Sequence, residues 1–104
     1  MAKFVLAYQG GGMPEDEAAG QAVMEQWMRW FGSLGEAVVD GGSPFGASAT
    51  VSSSGIVSAG GAAALTGYSI ITADSLEAAG EMAKGCPILQ SGGSVDVYEA
   101  TPIG

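Results

Sequence analysis

Val23, Trp27, Trp30 and Leu34 lie on one line at spacings of four, three and four, and Met24, Met28 and Phe31 lie on the line beside it. A stripe this wide and aromatic has helical period, and its helix needs another element to bury it. Pro14, followed by Glu15, Asp16 and Glu17, places a proline at the helix start and carboxylates in the first turn, where the helix dipole favours them. Gly32 and Gly35 mark the end, and Glu25 and Arg29 pair four apart on the outer face. Gly20 costs about 1 kcal/mol relative to alanine inside a helix, which predicts irregular first turns.

Most of the remaining chain reads as strands. Phe4 to Tyr8 is an apolar run stopped by Gln9-Gly10-Gly11-Gly12. Glu36 to Asp40 predicts a second strand, halted by the loop Gly41-Gly42-Ser43-Pro44-Phe45-Gly46. A weaker strand spans Ala49 to Ser52, with a turn at Ser53-Ser54-Gly55 and a small-residue loop from Ser58 to Ala64. Leu65 to Ala73, with Tyr68, Ile70 and Ile71, is the central strand. Asp74-Ser75-Leu76-Glu77 opens a second helix capped by Asp74, with Leu76, Ala79 and Ala83 on one face and Gly85-Cys86-Pro87 as its stop. Ser94 to Ala100 alternates Val95 and Val97 with Asp96 and Tyr98, a strand with one better-buried face.

The order is strand, helix, three strands, helix, strand, the weaker strand being half of a hairpin. This is an α+β, ferredoxin-like split βαβ plan. Two helices cover one face of such a sheet, yet Phe4 and Leu6 alternate with Val5 and Ala7, and Ile70 adjoins Ile71, so the other face is apolar too. The simplest cover is the same face of another copy, which predicts a homodimer packed sheet on sheet.

The 104 residues, 47% hydrophobic and 13% charged, fit a single domain over 1-104. Neither histidine nor asparagine occurs, so the chain itself supplies no Ser/His/Asp triad or Cys/His dyad. A lone Cys86 closes no internal disulfide and, without histidine, builds no Cys/His zinc set; it gives no sign of secretion. Three basic residues against eleven acidic ones leave a net charge of -8, which argues against nucleic acid and anionic membrane surfaces as partners. With apolar runs too short to span a bilayer, the composition reads as an acidic cytoplasmic domain. The glycine clusters lack a P-loop lysine and a G-x-G-x-x-G turn, so no nucleotide cofactor is implied. The scattered acidic residues indicate no metal site.

Several stretches, in this order and spacing, resemble the YCII-related proteins, including their DGPF-domain branch. They are Lys3 to Tyr8; Trp27-Met28-Arg29-Trp30-Phe31 with Leu34-Gly35; Val39-Asp40-Gly41-Gly42; Gly67 to Ile71; Ala73 to Ala79; and Gly92 to Val97. The resemblance covers nearly the whole chain. It implies a dimeric α+β barrel of two ferredoxin-like subunits, each with a small-molecule pocket near the dimer interface. It also implies, for the better-studied branch, a histidine on the first helix and an aspartate before a proline after the second. This chain has Met24 and Cys86 at those places. Ala59-Gly60-Gly61-Ala62 stands where the branch's namesake motif belongs, and Asp40-Gly41-Gly42-Ser43-Pro44-Phe45 is a similar stretch earlier in the chain.

Five residues are candidates for ligand contact. Asp40 closes an apolar strand before a loop of small residues, where partial burial raises a carboxylate's pKa and makes it the best candidate base; its other reading is a turn residue bonding its own loop amides. Ser43 lies in that loop. Tyr8 and Tyr68, on neighbouring strands, offer hydroxyls to a pocket or serve as core or interface residues. Cys86, at a helix C-terminus where the dipole disfavours a thiolate, reads as a packing cysteine more than a reactive one. The preferred reading is a homodimer that binds a small molecule without an intact His/Asp acid-base pair. The alternative is a cofactor-independent lyase or isomerase on small aromatic or lactone-like substrates, with Asp40 as base and Tyr8, Tyr68 or Ser43 orienting the substrate.

Overall fold

The computed structural model describes residues 2–11, 16–58 and 65–102. Eight elements of regular structure carry the fold: β1 (Ala2–Gln9), α1 (Glu17–Leu34), β2 (Val38–Asp40), β3 (Ala49–Ser52), β4 (Gly55–Ser58), β5 (Leu65–Ala73), α2 (Leu76–Ala83) and β6 (Ser94–Ala100). The main sheet has the order β2-β5-β1-β6 with every pair antiparallel, and β3 and β4 form a separate two-stranded sheet. Without that hairpin the order is strand, helix, two strands, helix, strand, an α+β arrangement consistent with the ferredoxin-like plan.

Alternation along the central strands separates two faces. Phe4, Leu6 and Tyr8 of β1 and Ser69, Ile71 and Ala73 of β5 are buried on the helix-covered face. Val95 and Val97 of β6 pack against that core, joined by Trp30 of α1, Ala79 and Ala83 of α2, and Cys86 and Ile88 beyond α2. The alanines let α2 approach closely. Trp30 also donates from Nε1 to the Met82 carbonyl at 3.1 Å, which ties α1 to α2. Val5 and Ala7 of β1, with Tyr68, Ile70 and Thr72 of β5, lie on the opposite face.

Several boundaries differ from the sequence expectation for local reasons. Asp16 is the N-cap of α1 rather than part of its first turn, its carboxylate accepting from Ala19 N at 2.8 Å. Pro14 and Glu15 lie outside the described residues. With that cap the helix is regular through Gly20, whose amide donates to Asp16 O at 3.0 Å. Ser75, not Asp74, caps α2, its hydroxyl accepting from Ala78 N at 3.0 Å. Leu76 is 52% exposed in the first turn of α2, so only Ala79 and Ala83 of the expected face are buried. Residues Gly35–Ala37 form a 3-10 turn and shorten β2. Gly55 to Ser58 is the second half of the hairpin, beginning inside the expected turn and ending in the expected loop, the rest of which, from Ala59 to Ala64, lies outside the described residues. Cys86 precedes a second 3-10 turn, Pro87–Ser91, that sequence periodicity did not signal.

Candidate functional site

A cavity of about 490 Å3 opens between α1 and the end of the sheet where β1 finishes and β5 begins. Val23, Met24, Trp27 and Phe31 supply the helix wall, Tyr8 and Ile88 the floor, and Gly41 to Pro44 with Thr66 to Tyr68 the far side. The volume is that of small-molecule sites. Among the described residues, no Lys, Arg, Asp or Glu lines it.

Four glycines, Gly20, Gly41, Gly42 and Gly67, are among the residues lining the cavity. Gly20 belongs to α1, so the residue that weakens the helix lies at the site. Gly42 has φ +78, and a Cβ there would sit 1.7 Å from the Tyr68 carbonyl oxygen, so only glycine fits the bulge after β2. Past that bulge the chain rejoins β5: Tyr68 N donates to Ser43 O at 3.4 Å, Phe45 N donates to Thr66 O at 2.9 Å, and Pro44 bridges Gly67. The expected loop is therefore an extended edge that forms the cavity's far wall.

The aromatic side chains interlock. Trp27 meets Tyr8 edge-on with centroids 5.1 Å apart and Trp30 edge-on at 5.7 Å, while Phe31 is tilted against both tryptophans. The Tyr8 hydroxyl donates to Ser69 Oγ at 2.7 Å, and Ser69 donates onward to the Gly41 carbonyl at 2.7 Å. Burial pushes the Tyr8 phenol well above its ordinary range; the Ser69 bond partly opposes this, and nearby Cys86 adds a smaller upward push. Tyr8 thus gives the cavity a ring, with its proton committed to a chain that pins β1 to the Gly41 turn.

Of the five candidates, Tyr8, Ser43 and Tyr68 line the cavity. The two tyrosine hydroxyls nevertheless diverge. Tyr8 is opposite Gly67 in the β1–β5 register, which places Tyr68 on the other face of the sheet. There the Tyr68 hydroxyl donates to Asp40 Oδ2 at 3.3 Å, and its ring stacks on Phe45 at 5.7 Å.

Asp40 and Cys86 are not among the lining residues. Asp40 is exposed, and its Oδ1 accepts from Gly42 N at 2.8 Å, the local turn arrangement weighed against the role of base. Cys86 is 1% exposed, and burial pushes its thiol up to about 11, the Ile88 backbone bond opposing this in part. Among the described residues no three His, Cys, Asp or Glu side chains gather where a metal ion could be held, and no helix is long and apolar enough to cross a membrane.

Val23, Phe31 and Ile88 are wall residues that sequence alone does not assign to a pocket, and Trp27, which the stripe places in the core more readily than in a pocket, lines the cavity while Trp30 does not. A helical stripe has the same spacing whether it faces a solid core or a cavity. Glycine inside α1, on the side of that stripe, was the available signal. A scan against protein-family models finds no match for the chain, and a search of curated proteins finds none either.

Proposed function

We propose that this protein is a small-ligand binding protein of the YCII-related kind, a cytoplasmic homodimer whose cavity takes a neutral, mostly apolar molecule and performs no His/Asp acid-base chemistry. The observation that carries this reading is the cavity wall, built from Tyr8, Met24, Trp27, Phe31 and Ile88, with no carboxylate or ammonium among the described residues that line it. A net charge of -8 with no lysine or arginine at the cavity disfavours anionic ligands. Ser43 and the peptide groups of the glycine-rich wall supply polarity enough to orient a ligand. Met24 occupies the position where the resemblance implies a histidine, so a ligand would meet a thioether there. Asp40, the candidate base of the enzymatic alternative, has its two oxygens engaged by Gly42 and Tyr68 outside the wall.

The dimer reading draws on the sheet face away from the helices, where Val5 and Ile70 are half-buried and Tyr98 is 59% exposed. The test of the cavity is fluorescence titration with neutral N-phenyl-1-naphthylamine and its anionic relative 1-anilinonaphthalene-8-sulfonate. Saturable binding of the neutral probe, insensitive to pH between about 5 and 8 and lost in Met24→Trp, is the expected result. No saturable binding, or tighter binding of the anion, overturns the assignment.

A further inference from the structure

The β3–β4 hairpin has the composition of a contact and the surroundings of a free arm. Residues 49–56 are all exposed, and the directly paired Val51 and Ile56 are 72% and 73% exposed. The hairpin shares no strand pairing with the main sheet, and a two-stranded hairpin alone in water is marginal at best. It leaves the fold at residues 43–45, which run along 66–68 of β5. The radius of gyration is 15.0 Å, where a chain of this length closing on itself has about 13 Å. The chain is thus more extended than a self-sufficient domain.

We propose that the β3–β4 hairpin is a dimerisation arm that packs Val51 and Ile56 against a second copy of this chain, and that the ligand cavity is shaped by that contact. The proposal rests on the homodimer reading above and says what the sheet face alone does not. Three strands of seven to nine residues and the interrupted edge of 38–40 with 43–45, at ~3.4 Å per residue and ~4.8 Å between strands, make a face of roughly 500 Å2. Two such faces bury roughly 1,000 Å2, short of the ~1,200 Å2 at the lower end of stable specific interfaces. Two arms of four-residue strands add roughly 250 Å2 on the same spacings and carry the total past that limit. The site connection is direct, because Ser43, Pro44, Thr66 and Gly67, which root the arm on the sheet, also line the cavity. Holding the arm fixes the far wall.

The test is a dilution series by sedimentation velocity on the full chain, comparing wild type with Val51→Asp/Ile56→Asp and, separately, Tyr98→Lys on the sheet face. Far-ultraviolet circular dichroism and the near-ultraviolet tryptophan bands serve as fold controls, since neither Val51, Ile56 nor Tyr98 belongs to the core. The arm variant is expected to weaken the dimer at least about tenfold, consistent with losing buried apolar side chains, and to weaken N-phenyl-1-naphthylamine binding with it. A nitroxide at Val51→Cys, selective because Cys86 is buried, is expected to be immobile in the dimer and mobile on dilution. If Tyr98→Lys dissociates the dimer while the arm variant keeps wild-type affinity, or the label stays mobile in the dimer, the arm is refuted and the homodimer stands. If wild type is monomeric throughout, both fall.

Discussion

Burial, not reactivity, governs Cys86 and Tyr8, and the consequence is a pH dependence that can be measured. Folding moves the Cys86 thiol from 9.0 up to about 11, so above pH 9 the native protein keeps a proton that the unfolded chain has lost. That contribution to stability is complete below about pH 9 and is lost as pH rises towards 11. The Tyr8 phenol, also pushed up by burial, adds a slope of the same sign above pH 10. The thiol alone accounts for about 2–3 kcal/mol over that interval. Urea unfolding between pH 8 and 11 is expected to show this decline and Cys86→Ala to flatten it; equal slopes would count against the buried thiol as its source. Ser69→Ala makes the complementary test. It removes the hydroxyl linking Tyr8 to the Gly41 carbonyl and leaves the buried Tyr8 hydroxyl short of a partner, at a cost of about 1–3 kcal/mol in chemical denaturation. A loss below about 0.5 kcal/mol would mean that water replaces the hydroxyl freely.

Among the elements, the interrupted edge formed by β2 and residues 43–45 matters most to the site. Gly42 at φ +78 lets the chain bulge and rejoin β5, and a methyl group there runs into the Tyr68 carbonyl. Gly42→Ala is therefore expected to cost at least about 2 kcal/mol and to abolish probe binding. Gly46→Ala, with nothing within 4 Å of the added methyl, is its near-neutral control in the same thermal and binding assays. Equal Tm values for the two variants would refute the bulge as a structural requirement. The full spans of β5 and β6 were legible because β-branched alternation and flanking turn residues are local signals. The α1 stripe was legible for the same reason. The Pro87–Ser91 turn was not, since five residues are too few to show a period. Residues 43–45 were concealed by Gly and Pro, which read as loop even where they lie along an edge strand. At the cavity, sequence places Tyr8 and Tyr68 on neighbouring strands and Ser43 in the loop after Asp40, but the face on which each hydroxyl emerges depends on register. Register belongs to the pair of strands, and no single segment encodes it.

Over the whole molecule, two copies that each carry a charge of -8 must repel, while the apolar face that would join them gains nothing from charge. The proposed dimer therefore has an unusual signature for an acidic protein. Raising ionic strength from about 10 mM to about 150 mM shortens the screening length from about 30 Å to about 8 Å and removes most of the repulsion, leaving the apolar contact little changed. Sedimentation velocity is expected to show the dimer tightening with salt over this range, whereas a contact made of ion pairs would loosen. Coupling between assembly and folding adds a second readout, because association that stabilises only the folded chain makes Tm rise with protein concentration. Val51→Asp/Ile56→Asp should reduce that rise and Tyr98→Lys should do the same, each leaving the dilute-limit Tm near that of wild type. A Tm independent of concentration in wild type, with no response of molecular mass to salt, would mean that the sheet face and the hairpin stay open to water and that the cavity is complete within one chain.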